Sequence, residues 1–385
     1  MDINTATPRI LIAPLNWGMG HATRCIPIIQ YMLDKGAEVI IASDGSALNL
    51  LKAEFPDLNA VEIPSYNVQY KRNNMVVNLG LQLPRIAMTV YKEQKWLNTY
   101  LKDHAIDAII SDNRFGLFTK RVPTVFISHQ INIPIPVQLL FKLGNYINHY
   151  FIRKFEELWI PDFEQEPSLT GSMAHNTPLD YQASYLGPIS RMAPAEEEKK
   201  YDLCVVLSGP EPQRTRLEHI LLTQLANLPY NTILVRGIPH HYQRIKCSDK
   251  LEMVTFMKGD ELNQTILQSE LIISRSGYTT IMDLAVLGKK ALFIPTPGQK
   301  EQEDLAKHFK ENGIYHSVDQ IDVELSNDIP TALTFQGLQV ENQLNATMKK
   351  VVDEWFRING FTARIHQDNI QKGQTTQKIQ SSKVK

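Results

Sequence analysis

The chain has 385 residues, 43% hydrophobic and 21% charged, with 40 Lys+Arg against 41 Asp+Glu. That length favours two domains with ample core material, and the charge balance gives no electrostatic case for nucleic-acid binding by the whole protein. Three cysteines, Cys25, Cys204 and Cys247, make neither a Cys-x-x-Cys pair nor a zinc spacing, which points to reduced thiols in a cytoplasmic protein. The start Met1-Asp2-Ile3-Asn4 lacks the basic opening of a signal peptide, and no apolar run approaches the ~18 residues of a bilayer span. Contact with a membrane surface stays compatible with this composition.

In chain order, Arg9–Pro14 reads as a buried strand, Arg24–Lys35 as a helix, Glu38–Ala42 as a strand and Ser46–Glu54 as a helix. Ala60–Ile63 is strand-like, Leu81–Lys102 is a long helix, and Ala108–Ser111 and Thr124–Ile127 are short apolar strands. Such alternation predicts a parallel sheet covered by helices on both faces. Ile133–Phe155 carries Pro134, Pro136, Val137, Phe141, Leu143, Tyr146, Ile147, Tyr150 and Phe151 among Lys142, His149, Arg153 and Lys154. Core packing is the commoner meaning of that pattern; a membrane-surface helix meeting a lipid-linked acceptor is the other.

Residues 1–187 form the first domain on this reading, and 188–200, with its Glu196–Lys200 charge run, the linker. The α/β pattern restarts over 201–338 with strands at Asp202–Leu207, Thr232–Val235, Met253–Phe256, Leu271–Ser274 and Ala291–Ile294, and a helix at Leu217–Leu228. Cys204 falls in a strand and reads as a packing residue. A last helix lies within 339–360. Residues 361–385 hold five basic residues, one acid and five glutamines, and read as a disordered tail. His240, His241, His308 and His316 have no metal-ligand spacing.

Two strand–glycine loop–helix units stand in the two halves. The first ends in Gly18-Met19-Gly20-His21; its glycines permit a tight turn and close approach to a ligand, and His21 falls at the helix start. A neutral imidazole there can take a proton from a hydroxyl, or it can simply cap the turn. The second unit, Ser274-Arg275-Ser276-Gly277-Tyr278-Thr279-Thr280, aims a helix N-terminus at the same cleft. Asp283, one turn on, can accept bonds from ribose hydroxyls or merely favour the helix start. Ser208 and Gly209 can offer a hydroxyl and amides to a phosphate, and Arg214 can add charge. Asp112, Asn113 and His129 lie just past strand ends, on the edge where an acceptor would face His21. Pro295–Asp304 adds amide and carboxylate groups suited to sugar hydroxyls.

With these residues in view, the chain resembles the GT-B glycosyltransferases of family 28, which include the N-acetylglucosaminyltransferase converting lipid I to lipid II. The resemblance spans roughly residues 9 to 357, and its specific block is Ser274–Asp283 with Pro295–Gln302. It implies two Rossmann-like domains around a central cleft, with a nucleotide-sugar donor held mainly by the second. By this resemblance Ser208 and Gly209 match the donor phosphate loop, and Ser276, Gly277 and Thr280 the diphosphate-binding helix start. Asp283 stands where the family has a ribose-holding glutamate, Gln302 matches a donor-sugar contact, the backbone near Met257 meets the base, and His21 matches the glycine-loop histidine. Four features depart from the pattern: the first loop, Asn16-Trp17, lacks extra glycines; Asp283 is shorter than glutamate; Leu305 stands where the motif often has asparagine; and His129 replaces an acidic residue of the lipid I enzyme.

The resulting expectation is an inverting, metal-independent transfer of a GlcNAc-type sugar from a UDP-sugar to a glycan or lipid-linked acceptor. It needs no cofactor beyond the co-substrate and takes place in the cytoplasm or at the inner face of its membrane. His21 with Asp112 would act as base, Gly18, Gly20 and the second-half residues would bind the donor, and Arg275 or Arg214 would offset diphosphate charge. Rival readings are a UDP-sugar hydrolase on the same fold, a non-catalytic nucleotide-sugar binder, and an epimerase.

Overall fold

The computed structural model describes residues 7–66, 75–133, 138–175, 178–238, 242–340 and 345–366. Pro134, Pro136, Val137, His240, His241 and residues 367–385, all singled out above, lie outside them.

The first sheet contains β1 (Arg9–Pro14), β2 (Glu38–Ser43), β3 (Asn59–Glu62), β4 (Ala108–Asp112), β5 (Thr124–Ile127), β6 (Glu157–Ile160) and β7 (Ala183–Tyr185), all parallel in the order β3-β2-β1-β4-β5-β6-β7. Helices α1 (Gly20–Asp34), α2 (Gly45–Glu54), α3 (Met75–Asp103) and α4 (Gln138–Ile152) connect them. The central strands read as unbroken apolar runs because both faces are covered, and Ile10, Leu11, Ile12 and Ala13 are wholly buried.

The second sheet contains β8 (Tyr201–Val206), β9 (Thr232–Val235), β10 (Arg244–Lys246), β11 (Leu251–Val254), β12 (Ser269–Ser274), β13 (Lys290–Phe293) and β14 (His316–Ser317). Its order is β10-β11-β9-β8-β12-β13-β14, parallel except for the β10 edge. Helices α5 (Gln213–Leu225), α6 (Gly259–Leu267), α7 (Tyr278–Leu287), α8 (Lys300–Glu311) and α9 (Leu325–Thr334) cover it. In each sheet the strand order reverses at one place, between β1 and β4 and between β8 and β12. Crevices open beyond the carboxyl ends of the strands at such switch points. His21, Asp112, Ser208 and Ser276 lie at or just beyond the carboxyl ends of these four strands.

The chain crosses back at its end. Helix α10 (Ala346–Ile358) packs on the first domain: Met348, Val352, Trp355 and Phe356 share a core with Ile10, Ile12 and Trp159, and the Trp355 and Trp159 rings meet edge-on at 5.6 Å. The expected tail start at 361 is corrected here. Residues 361–366 are helical, Phe361 is buried against Trp355 and Phe356, and Arg364 pairs with Asp107 at 2.8 Å. An apolar residue and a cation that find partners only in the folded first domain look like tail composition in the sequence.

The linker divides likewise. Residues 193–200 are largely exposed, whereas Ile189 and Met192 are buried and Asn345 brackets Ser190 through both its main-chain groups. The loop after β6 also joins the domains. Asp162, fully buried, accepts the amides of Phe163, Leu169 and Thr170, and the fixed loop inserts Leu169 and Met173 into the core of the second domain.

Trp355→Ala removes the centre of the helix return. It is expected to cost about 3–5 kcal/mol and to lower the thermal midpoint; an unchanged midpoint would show that α10 contributes little to the first domain.

Candidate active site

The glycine loop after β1 brings His21 to the start of α1, with its side chain 14% exposed on the cleft. His21 Nδ1 lies 2.7 Å from Asp112 Oδ1 at the end of β4. Asp112 is wholly buried, and Arg24, one turn beyond His21 and 2% exposed, grips it in a fork: Nε donates to Oδ2 at 2.5 Å and Nη2 donates to Oδ1. Burial alone would raise the Asp112 carboxyl, but the Arg24 and His21 charges outweigh it and hold Asp112 well below the usual carboxylate range. Arg24 Nη2 also lies 2.8 Å from His21 Nδ1; in the tautomer that donates Nδ1–H to the ionised Asp112, Nε2 is the free basic nitrogen. Burial, aided by Arg24 and opposed by Asp112, lowers the His21 imidazole, so it is neutral at pH 7.

The second domain meets this corner directly. A Cβ at Gly20 would lie 2.6 Å from Thr279 Oγ1, so the glycine lets the starts of α1 and α7 meet without displacing that side chain. Two positive helix ends therefore converge, an arrangement that favours an anion between them. Ser276 Oγ donates to the Gln302 carbonyl at 2.8 Å, and Gln302 Oε1 accepts the Thr296 amide at 2.8 Å, leaving the Gln302 NH₂ for a ligand. Gly277 caps α7 beside Thr280. Ser208 and Gly209 are exposed at the end of β8, with Gly209 at φ +100°. Met257 is buried in the loop after β11.

Several expected roles change. Arg214 is not turned to a phosphate: Nε and Nη1 donate to Glu211 and Glu218, at 2.7 and 2.8 Å, so two carboxylates already meet its charge. Arg275 is buried beneath the cleft and donates to the carbonyls of Ile294, Pro295 and Gln213 and to Gln320 Oε1. It is a buttress for three loops, and burial lowers its guanidinium to about 10. Its Nε and Thr296 Oγ1, both buried, have no hydrogen-bond partner among the described residues, and both lie beside Gly209. His129, expected on the acceptor side, is buried between Arg24 and the second domain. Arg24 Nη1 lies 3.0 Å from its Nδ1, Glu301 Oε1 lies 3.1 Å from its Nε2, and its ring stacks on Tyr278 at 4.1 Å. Asn113 holds the left-handed turn, φ 57°, that follows Asp112. Asp283 accepts from Ser190 Oγ at 2.5 Å, and burial pushes it up to about 6.

Sequence reasoning missed Arg24, Glu301 and Arg191. Arg24 follows the glycine loop without a signal that marks its partner, and Glu301 is one charge in a cluster. Arg191, in the linker, reaches over the start of α6 toward Gly259 and acts on Asp283 electrostatically. Among the described residues there is no group of three or more His, Cys, Asp or Glu suited to a metal ion.

Residues 217–357 match the glycosyltransferase family 28 C-terminal domain. The chain is a glycosyltransferase. It is 22% identical over 322 residues to an uncharacterized glycosyltransferase of Methanosarcina mazei, covering 79% of this chain and 84% of that one. It is 20% identical over 301 residues to the UDP-N-acetylglucosamine--N-acetylmuramyl-(pentapeptide) pyrophosphoryl-undecaprenol N-acetylglucosamine transferase of Lactococcus lactis subsp. cremoris, covering 75% and 79%. Among solved structures, the glycotransferase of kitacinnamycin superposes with a TM-score of 0.61 at 13% identity, covering 95% of this chain and 99% of that one. MurG of Acinetobacter baumannii gives 0.57 at 12%, covering 91% and 100%. The fold is GT-B, two α/β domains facing a cleft.

Asp283 makes this glycosyltransferase less stable than it could be. Its folded pKa lies above the unfolded one, so stability falls as pH rises from about 4 to 6 and stays reduced above that. Asp283→Asn is therefore expected to raise the thermal midpoint at pH 7.5. A lowered midpoint at that pH would contradict the strained-carboxylate account.

Proposed function

We propose that the enzyme transfers a GlcNAc-type sugar from a UDP-sugar to an acceptor hydroxyl with inversion and without a metal ion. The observation that carries this reading is the His21–Asp112 pair, fixed at 2.7 Å at the point where the first domain meets the start of α7. The acceptor O–H gives its proton to His21 Nε2 as its oxygen bonds to the anomeric carbon. The bond from that carbon to the diphosphate breaks, and UDP leaves with the electron pair. Asp112 stays ionised and stabilises the imidazolium.

The leaving diphosphate would lie against the converging helix starts, Ser208, Gly209, Ser276, Gly277 and Thr280. Arg275 Nε and Thr296 Oγ1, the two unpartnered groups beside Gly209, support a phosphate oxygen there. Asp283 would take the ribose hydroxyls, the main chain near Met257 the base, and the Gln302 amide the sugar. The GlcNAc and uridine choice rests on the family 28 match and on the names of the sequence relatives.

A lipid-linked acceptor fits the exposed surface beside the glycine loop. Leu83, Met88 and Tyr91 on α3 and Phe141, Leu143, Tyr146, Ile147 and Tyr150 on α4 are exposed, with Arg85, Lys142 and Lys154 among them. Ile86 and Val90 of α3 and Phe151 of α4 share one small cluster with Leu15 and Trp17, which joins this surface to the His21 loop. Core packing, the commoner meaning of the α4 pattern, therefore accounts for Ile152 and Phe155 but not for these five side chains. An apolar face edged with cations suits an anionic membrane surface. Among the described residues no helix is long and apolar enough to cross one.

His21→Ala is expected to reduce transfer by about 10²–10⁴-fold with UDP binding unchanged, measured as UDP release with and without acceptor. Near-normal transfer by this variant would remove the base assignment. UDP and sugar released at an equal rate without acceptor would replace transfer by hydrolysis.

A further inference from the structure

Glu301 is the one carboxylate that the second domain delivers to the His21 corner among the described residues. It opens the first turn of α8 and crosses the cleft to two groups of the first domain: Oε1 lies 3.1 Å from His129 Nε2, and Oε2 accepts from Gln130 Nε2 at 2.5 Å. The His129 tautomer follows from its neighbours. Nδ1 faces an Arg24 N–H at 3.0 Å and must accept, so Nε2 carries the hydrogen and donates to Glu301. The ring is thus a neutral relay between a guanidinium of one domain and a carboxylate of the other, and the Tyr278 ring stacked on it fixes its plane.

The charge count at this corner gives Glu301 a task. The groups around His21 and the Arg24–Asp112 pair are Asp112 from β4, Arg24 and Cys25 from α1, His129 after β5, Tyr278 from α7 and Glu301 from α8. Burial pushes the Cys25 thiol and the Tyr278 hydroxyl up, so both are neutral. Lys300, the residue before Glu301, is paired with Asp304 at 2.5 Å. Arg24 and Asp112 cancel. Once His21 holds the acceptor's proton, the first domain alone carries one uncompensated positive charge in a largely buried corner. Glu301 supplies the missing negative charge, and only while the two domains are in contact. It is ionised: burial would raise it, but the hydrogen bond from His129 and the Arg24 charge help to hold it low.

We propose that Glu301 is a positioning residue for the transfer step, which through His129 and Gln130 brings to the closed cleft the carboxylate that offsets the charge formed when His21 Nε2 takes the acceptor's proton. This rests on the assignment of His21 as base. It makes proton acceptance strongest in the closed form, where donor and acceptor are held together and water is excluded.

The test reads His21 itself. In the full chain with ¹³C-labelled histidine, the His21 resonance is identified among the 11 histidines by its loss in His21→Gln. Its titration is then followed in wild type, Glu301→Gln and Glu301→Asp, each alone and with UDP. The proposal predicts that Glu301→Gln lowers the His21 midpoint by about half a pH unit or more, with the larger shift in UDP, while Glu301→Asp stays near wild type. The same His21 midpoint in wild type and Glu301→Gln under both conditions overturns it, as does an equal shift in Glu301→Gln and Glu301→Asp, which would mark a packing effect. Calorimetric titration with UDP keeps the two readings apart: binding lost in the wild type counts against the donor site, whereas intact binding with an unmoved His21 counts against Glu301 alone.

Discussion

The buried pair of Arg24 and Asp112 is the constraint on which the rest of the cleft depends. Neither charge reaches solvent, so each would be severely unfavourable without the other; breaking such a pair typically costs about 3–5 kcal/mol. Holding them together fixes the start of α1 against the end of β4. That fixes where His21 points, which of its nitrogens is free, and which nitrogen of His129 must accept. The pair gives one fold two things at once: a packed switch point in the first sheet and an oriented imidazole at its mouth.

The two domains meet through unlike surfaces. On one side the contact is apolar, with Leu169 and Met173 set into the second core and Ile189 and Met192 buried in the linker. On the cleft side it is polar and precise in register, made by Glu301, His129, Gln130 and the Gly20–Thr279 approach. An apolar seam tolerates small rotation, whereas charged hydrogen bonds are satisfied in one geometry. This division suits a cleft whose closure completes the reacting arrangement, with α10 binding the last part of the chain back onto the first domain.

The central strands were legible because strands of a parallel sheet are buried on both faces and read as apolar runs: β1, β5, β9 and β12 stand out at once. The edges were not. Ala183–Tyr185 and Arg244–Lys246 are short and partly exposed, so they carry no apolar run, and Glu157–Ile160 follows directly on the aromatic stretch of α4. The glycine loops pointed to His21, and the end of an apolar strand pointed to Asp112. Arg24 and Glu301 were hidden because their importance comes from partners 88 and 172 residues away. Arg214 misled for the same reason. A cation near a phosphate loop looks free until Glu211 and Glu218 are seen to meet its charge.

The converging helix starts and the loops after β8, β11 and β12 are proposed to hold a uridine diphosphate group against His21. The most direct measurement is a calorimetric titration of the purified full chain with UDP and UDP-GlcNAc alongside ADP and GDP. Selective binding of the two uridine nucleotides, with one site per chain, is expected. Equal affinity for all four, or no binding of any, would contradict it.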